Sequence, residues 1–446
     1  MKNGKGMLVY GRVILIVVIS VYYFLLPGVS ILQALTDPGL RSGEMPRFAY
    51  RWHQALSRDM EEWALQRVAS GVALDMDVSN ISGTEWPVFS SVFYLWATEA
   101  LQQAWEQDPS LAENAPADYA RGAIEAVAAL VADPNHAAWV QQHWGEDYLA
   151  RQDLFYRMLL ISGLTSYQRL LGEDTYEAAL REQVESLADE IDASPYGLLD
   201  DYPGECYPID ILPAIAAIQR ADAVLGTDHS AFVTRALRAF VDTRQDPSTG
   251  LPAYRCDTFT GEGLGSARGV GISYMLIWAP ELWPETAEHW YALYEDQFWQ
   301  NNGLVAGFRE FPIQYPYTVP AMGDVDSGPI PFGYGTAASA FGIGAARANG
   351  RFDQAYALSA EALLLTWPLP GGTLLLPRLL SNLADAPYTG EAALLFILTR
   401  TPLVESGTNA STLLACVYAG LGVYFGVPAA AAVYTVRQVV KWRKSR

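Results

Sequence analysis

The chain is poor in the residues that carry most metal and nucleophile chemistry. Three cysteines and five histidines are spread over 446 residues. No Cys-x-x-Cys or His-Glu-x-x-His spacing occurs, so neither a zinc site nor a histidine-based triad is expected, and no cofactor is called for. The histidines (His53, His136, His143, His229 and His289) fall mostly on segments read as peripheral helices. Cys416 lies in an apolar run, while Cys206 and Cys256 either pair in an oxidising compartment or remain free thiols. Basic residues are also scarce, with 29 Lys and Arg against 49 Asp and Glu. Residues 1–36 carry +3 and residues 402–446 carry +4, which leaves −27 on the segment between. A polyphosphate partner needs a basic surface, so nucleic acid is excluded as a partner class.

What the chain does have is two long uncharged runs. One lies between Arg12 and Asp37 and includes "VILIVVISVYYFLLPGVSILQALT"; the other lies between Glu405 and Arg437. Each exceeds the roughly 20 apolar residues that cross a bilayer as a helix. Lys2, Lys5 and Arg12 precede the first run, and Arg437, Lys441, Arg443, Lys444 and Arg446 follow the second. The positive-inside rule then predicts cytoplasmic termini and an external domain in a cell-membrane protein. A cleaved signal peptide is the competing reading of the first run, although its apolar stretch is long and lacks a small-x-small cleavage site. The expected organisation is an anchor over 1–36, an external domain over 37–404, and a second anchor with a basic tail over 405–446.

Between the anchors, helical patterns alternate in kind. Segments starting at Trp86, Asp153, Ile209, Ala267, Gly328 and Gly390 are apolar or small nearly all round and recur about every sixty residues. Charged-faced segments such as "DTYEAALREQVESLADEID" separate them. A helix apolar all round belongs inside and one with a charged stripe belongs at a surface. Six alternations predict an all-α domain, an (α/α)6 toroid of about six hairpins with inner and outer helices. An open α-solenoid would use the same hairpins.

The loops entering the inner helices hold the unusual residues. They contain Glu85 and Trp86; Asp147, Tyr148 and Asp153; Asp201, Tyr202, Glu205, Cys206 and Asp210; and Tyr254, Asp257 and Arg268. Tyr317, Asp324 and Asp326 follow, then Asp385 and Tyr388. Asp at a helix start ordinarily caps backbone N–H groups, and Asp147, Asp201, Asp257 and Asp385 are read that way. In "GDVDSGP", Ser327 is an equally good cap, which leaves Asp326 to point elsewhere. Asp324, Asp326, Glu205, Asp210 and Cys206 are therefore the catalytic candidates. Trp86, Tyr148, Tyr202, Tyr254, Arg268, Glu310, Tyr317 and Tyr388 are candidate substrate contacts, with Glu310 expected to pair with Arg309 or Arg268. Paired carboxylates in an aromatic cleft suit acid–base chemistry, one protonated and one ionised.

This pattern resembles the (α/α)6 toroid enzymes, which include six-hairpin glycosidases, polysaccharide lyases, terpenoid cyclases and linalool dehydratase/isomerase. "DVDS" at 324–327 is similar to the Asp-x-Asp-Asp proton-donor motif of class II terpene cyclases, with Ser327 in place of the last Asp. "CYPID" at 206–210 is similar to the Cys-x-Pro segment of linalool dehydratase/isomerase, whose second cysteine would here be Cys256. The resemblance implies an acid–base enzyme acting on an envelope glycan or lipid-linked saccharide. Its alternatives are a dehydratase or isomerase of an isoprenoid alcohol, and a non-catalytic glycan-binding or envelope-assembly module. Oligomeric state is not legible in the sequence.

Overall fold

A computed structural model describes the chain except residues 1, 78, 244, 316–322, 324–325, 405–407, 411 and 445–446, and for residues 2–9 and 242–243 it describes the backbone alone. The protein is mostly helical. Two helices are long and apolar enough to cross a membrane, α1 (Tyr10–Leu35) near the N-terminus and α15 (Ala415–Lys444) near the C-terminus. They run side by side: the Tyr10 and Trp442 rings meet at 5.1 Å, and Gly28 lies against Tyr424.

Between them lie α2 (Arg47–Ser70), α3 (Ile81–Gln107), α4 (Arg121–Ala132), α5 (Leu154–Leu171), α6 (Glu177–Ala193) and α7 (Pro208–Leu225). Then come α8 (Ser230–Thr243), α9 (Gly269–Leu282), α10 (Pro284–Phe298), α11 (Thr336–Ala348), α12 (Phe352–Thr366), α13 (Leu375–Leu383) and α14 (Thr389–Leu398). The starts and stops have local causes. Pro208 and Pro284 occupy first-turn positions, where a missing N–H is harmless. Gly172, at φ 65°, ends α5 in the left-handed conformation that L side chains resist.

The apolar segments are the buried ones. α5, α7 and α9 are covered along nearly their whole length, whereas α6 buries one stripe, Leu180, Gln183, Val184, Leu187, Ala188 and Ile191. α3 packs on α5, α5 on α7, α7 on α9, α9 on α11, α11 on α14 and α14 on α3. The amphipathic helices cover them from outside: α2 and α4 pack together, α6 lies on α5, α10 on α9 and α12 on α11. Phe89, Phe93, Tyr274 and Phe341, from three of the buried helices, interlock ring on ring at 4.1–6.0 Å.

Some expectations fail here. His53 is not peripheral: it is wholly buried between α2 and α3, bonded to Tyr119 and Thr98, and burial pushes its pKa down to about 3. The helix read from Gly328 begins only at Thr336, after a turn at Pro331–Gly333. Prolines 329 and 331 and the adjacent glycines delay it, so Ser327 is not its cap. Two short antiparallel hairpins, 255–256 with 263–264 and 299–301 with 306–308, also lacked an alternating pattern long enough to be seen.

Candidate active site

The first three loops into the buried helices converge on a carboxylate cluster. Glu85 sits in the opening turns of α3, whose start is capped by Asn80 accepting from the Gly83 N–H at 3.1 Å. Tyr202 arrives from a tight turn in which the Asp201 N–H donates to the Glu205 carbonyl at 2.8 Å and the Glu205 N–H to the Tyr202 carbonyl at 2.8 Å. The Cys206–Cys256 disulfide joins this turn to the hairpin before α9. So held, the Tyr202 hydroxyl donates to Glu85 Oε1. Burial pushes the Glu85 carboxyl up to about 7; the Tyr202 hydrogen bond restrains the rise, and the negative charge of Asp326 adds to it.

Three further acids crowd the same place. Asp153 is 1% exposed, one of its oxygens has no partner among the described residues, and both it and Gln152 have positive φ (52° and 47°). Two successive non-glycine residues in that region cost about 1–3 kcal/mol each and need support. Arg157 supplies it: wholly buried, it donates to the Gln152 carbonyl at 3.2 Å and to Glu190 at 2.7 Å, while Glu190 accepts from the Gln152 N–H at 2.6 Å. Burial nonetheless raises the Asp153 carboxyl well above its usual range, against the pull of Arg157 and with Glu85 adding to the rise. Asp201 is 2% exposed, accepts from the Tyr207 N–H at 3.1 Å through one oxygen, and leaves the other without a partner among the described residues. Burial raises it strongly, and Asp210 adds to this. Asp210, in the first turn of α7, is raised by burial and then by Asp326 and Glu85. It is half-buried, so the recess that these acids line reaches solvent. Burial and mutual repulsion thus favour the protonated form of each of these acids. Among the described residues, no three potential ligands are arranged to hold a metal ion.

The expected site residues divide among three places. Asp210 and Tyr202 belong to the recess, and the exposed Asp326 lies close enough to raise Glu85 and Asp210. Tyr148 is buried behind it, 5.9 Å ring to ring from Tyr156, and Trp86 is half-buried beside Glu85 on α3. A second group lies on the rim: Arg268 donates to Glu310 at 2.6 Å and to Ser327 at 3.1 Å, and its guanidinium covers the Tyr254 ring at 4.6 Å. Glu310 is thus an ion-pair partner of Arg268, one of the two expected. Tyr388 stands apart with Trp63 and Arg378. Asp324 and Tyr317 lie outside the described residues.

The structure gives two of the catalytic candidates other partners. Cys206 is 1% exposed and spent in its bond to Cys256, so it offers no thiol. Glu205 accepts from the Tyr207 hydroxyl at 2.6 Å. Asp201 is no solvated cap either, for the reasons just given, and Asp257 caps no helix: it accepts from the Phe259 and Thr260 N–H groups in the turn between the strands 255–256 and 263–264.

Glu85 and Asp153 are the site residues that sequence reasoning passed over. Their only signal was position, each a carboxylate at the start of a buried helix. The opposite ends of these helices show the contrast. There Glu99 accepts from Arg169, Arg220 and Ser166, beside a cavity of about 100 Å³ lined in part by Arg220, Glu281 and Arg400. Burial would raise Glu99, but Arg220 and Arg169 hold it down to about 2. The carboxylate at that end is paired with arginine, whereas Asp153 and Asp201 each keep one oxygen without a partner among the described residues. No family model matches the chain, and no curated protein matches it.

Proposed function

We propose that the domain is an (α/α)6 toroid whose acidic recess performs acid–base chemistry on a glycan, as a glycosidase- or lyase-like enzyme held at the cell membrane with its domain outside. The cyclic order of packing from α3 through α14 and back to α3 supports the toroid. One observation carries the reaction class: Glu85, raised to about 7, shares a recess with the exposed Asp326. A carboxyl half-protonated near neutral pH donates a proton to a leaving oxygen, and an exposed carboxylate accepts one from water or from a sugar carbon. Glu85 is the acid, Asp326 the base, and Tyr202 the residue that orients the acid. The charge of Asp326 keeps the recess electronegative and so helps to keep Glu85 protonated.

The isoprenoid-alcohol alternative requires a cysteine thiol, and Cys206 has none to give. The experiment is a screen of the full-length protein against envelope polysaccharides and lipid-linked saccharides, with Glu85→Gln and Asp326→Asn beside it. Product release that both substitutions abolish supports the reading; release that survives both defeats it.

A further inference from the structure

The outer surface of the domain does not treat all its sides alike. α12 lies along the two apolar helices: the Tyr356 hydroxyl donates to the Leu35 carbonyl at 3.0 Å, the Tyr424 hydroxyl to the Leu364 carbonyl at 2.8 Å, and the Trp367 indole to the Tyr23 carbonyl at 2.6 Å. From Leu35 back to Tyr23, α1 therefore descends as α12 advances, and passes its C-terminal end at Trp367. That end is also the end at which the buried helices begin. Just beyond Trp367 the Leu374 N–H donates at 3.2 Å to Glu391 in the first turn of α14; Tyr388, immediately before that turn, meets Trp63 near the end of α2, and the Arg67 guanidinium one turn on reaches the Gly83 carbonyl, two residues from Glu85. The apolar helices thus leave the domain on the side of the recess.

Helix geometry places the bilayer. Eighteen residues separate the Gly28–Tyr424 contact from the Tyr10–Trp442 contact along each helix. At 1.5 Å per residue this is about 27 Å, close to the thickness of a hydrocarbon core. Tyr10 and Trp442, with Arg12 and Arg437 nearby, mark one interface; Tyr23, Trp367 and Tyr424 mark the other, as aromatic belts do.

The same side of the domain is apolar where a water-facing surface would be polar. Leu365 is 64% exposed, and α13 turns Leu379, Leu380 and Leu383 outward at 49, 56 and 84%. Its Arg378 points inward, pairing with Glu391 at 2.8 Å and Asp59 at 2.6 Å. Phe259 and Phe332, on loops that enter α9 and α11, are each 90% exposed. An amphipathic helix with its leucines out and its charge in, packed on the α12 that holds both spans, is built to lie in a membrane interface.

We propose that the mouth face rests on the bilayer, with α13 in the interface, and that the recess takes its substrate as the saccharide headgroup of a membrane lipid. The choice of saccharide rests on the acid–base reading; the seating does not. The occupant of the leucine face is the same bilayer that holds α1 and α15, since that face continues from their contact with α12.

The test uses full-length protein with Cys416→Ser and an environment-sensitive NBD label on Leu383→Cys, Phe332→Cys or, as the control on the far side, Glu113→Cys. Each is placed in phosphatidylethanolamine–phosphatidylglycerol liposomes containing doxyl-labelled lipid. The labels at 383 and 332 should lose about half of their emission to the lipid quencher, and the label at 113 almost none. Equal quenching at all three sites overturns the seating, whatever the catalytic result. So does crosslinking between copies through position 383 without quenching, which would assign the leucine face to a second copy. For the substrate, Leu379→Gln with Leu383→Gln should lower kcat/KM on a lipid-linked saccharide about tenfold and leave a water-soluble fragment of it unchanged. An equal effect on both overturns delivery from the lipid. Loss of turnover in Glu85→Gln tests the chemistry separately.

Discussion

The Tyr202 hydroxyl donates to the Glu85 carboxylate across 117 positions of sequence, joining the loop before α7 to the first turns of α3. That bond restrains a carboxyl that burial and Asp326 drive upward. Tyr202→Phe should therefore raise the Glu85 pKa, and the alkaline limb of the pH–rate profile should move to higher pH. A limb that stays in place or moves down would contradict the assignment of Glu85 as the acid.

Glu85→Gln keeps the shape and removes the proton. Activity should fall about 10²–10⁴-fold with no loss of thermal stability, measured by initial rates and by calorimetry. Asp326→Asn should produce a similar loss of rate, since it takes away the base.

The recess should also leave a mark on stability. Asp201 has a folded-state pKa above its unfolded value, so the native state binds its proton more tightly. Stability is then greatest below the unfolded pKa and declines as pH rises toward the folded pKa. Asp201→Asn removes that penalty, and its Tm advantage over the parent protein should grow between pH 4 and pH 8. A Tm gap that shrinks with pH would contradict it.

The disulfide ties residues 50 apart, so removing it with Cys206→Ala and Cys256→Ala should cost about 4 kcal/mol by loop-closure entropy. Alkylation of the oxidised protein, by contrast, should leave activity intact. Inhibition by a thiol reagent in Cys416→Ser would favour a cysteine mechanism.

Close packing behind the site gives a further expectation. A Cβ on Gly269 would stand 2.0 Å from the Arg309 carbonyl, and the Gly269 N–H donates to the Glu310 carbonyl at 2.8 Å. Gly269→Ala should lower stability by about 2–3 kcal/mol in chemical denaturation.

The alternation of apolar and charged-faced helices was legible because burial imposes it on every turn: Val88 to Leu101 on α3 and Ile211 to Leu225 on α7 read as interior and are interior. The positions of the acids were legible too, since each stands at the head of a buried helix. Their partners were not. Asp201 looked like a cap because one of its oxygens does accept a backbone N–H; only the packed structure shows the other oxygen left among carboxylates. Glu205 and Cys206 seemed to belong with Asp210 through sequence proximity, yet the turn at 201–206 directs them to Tyr207 and Cys256. The pairing of Glu85 with Tyr202 depends on two loops meeting across the domain, which no local pattern encodes.

The most direct measurement is the titration of Glu85 itself, by difference infrared or carboxyl ¹³C NMR spectroscopy of the full-length protein against Glu85→Gln. The account predicts a carboxyl that ionises near pH 7 and is absent from the variant. A Glu85 that ionises at about 4.3, the value of an unperturbed glutamate, would contradict it.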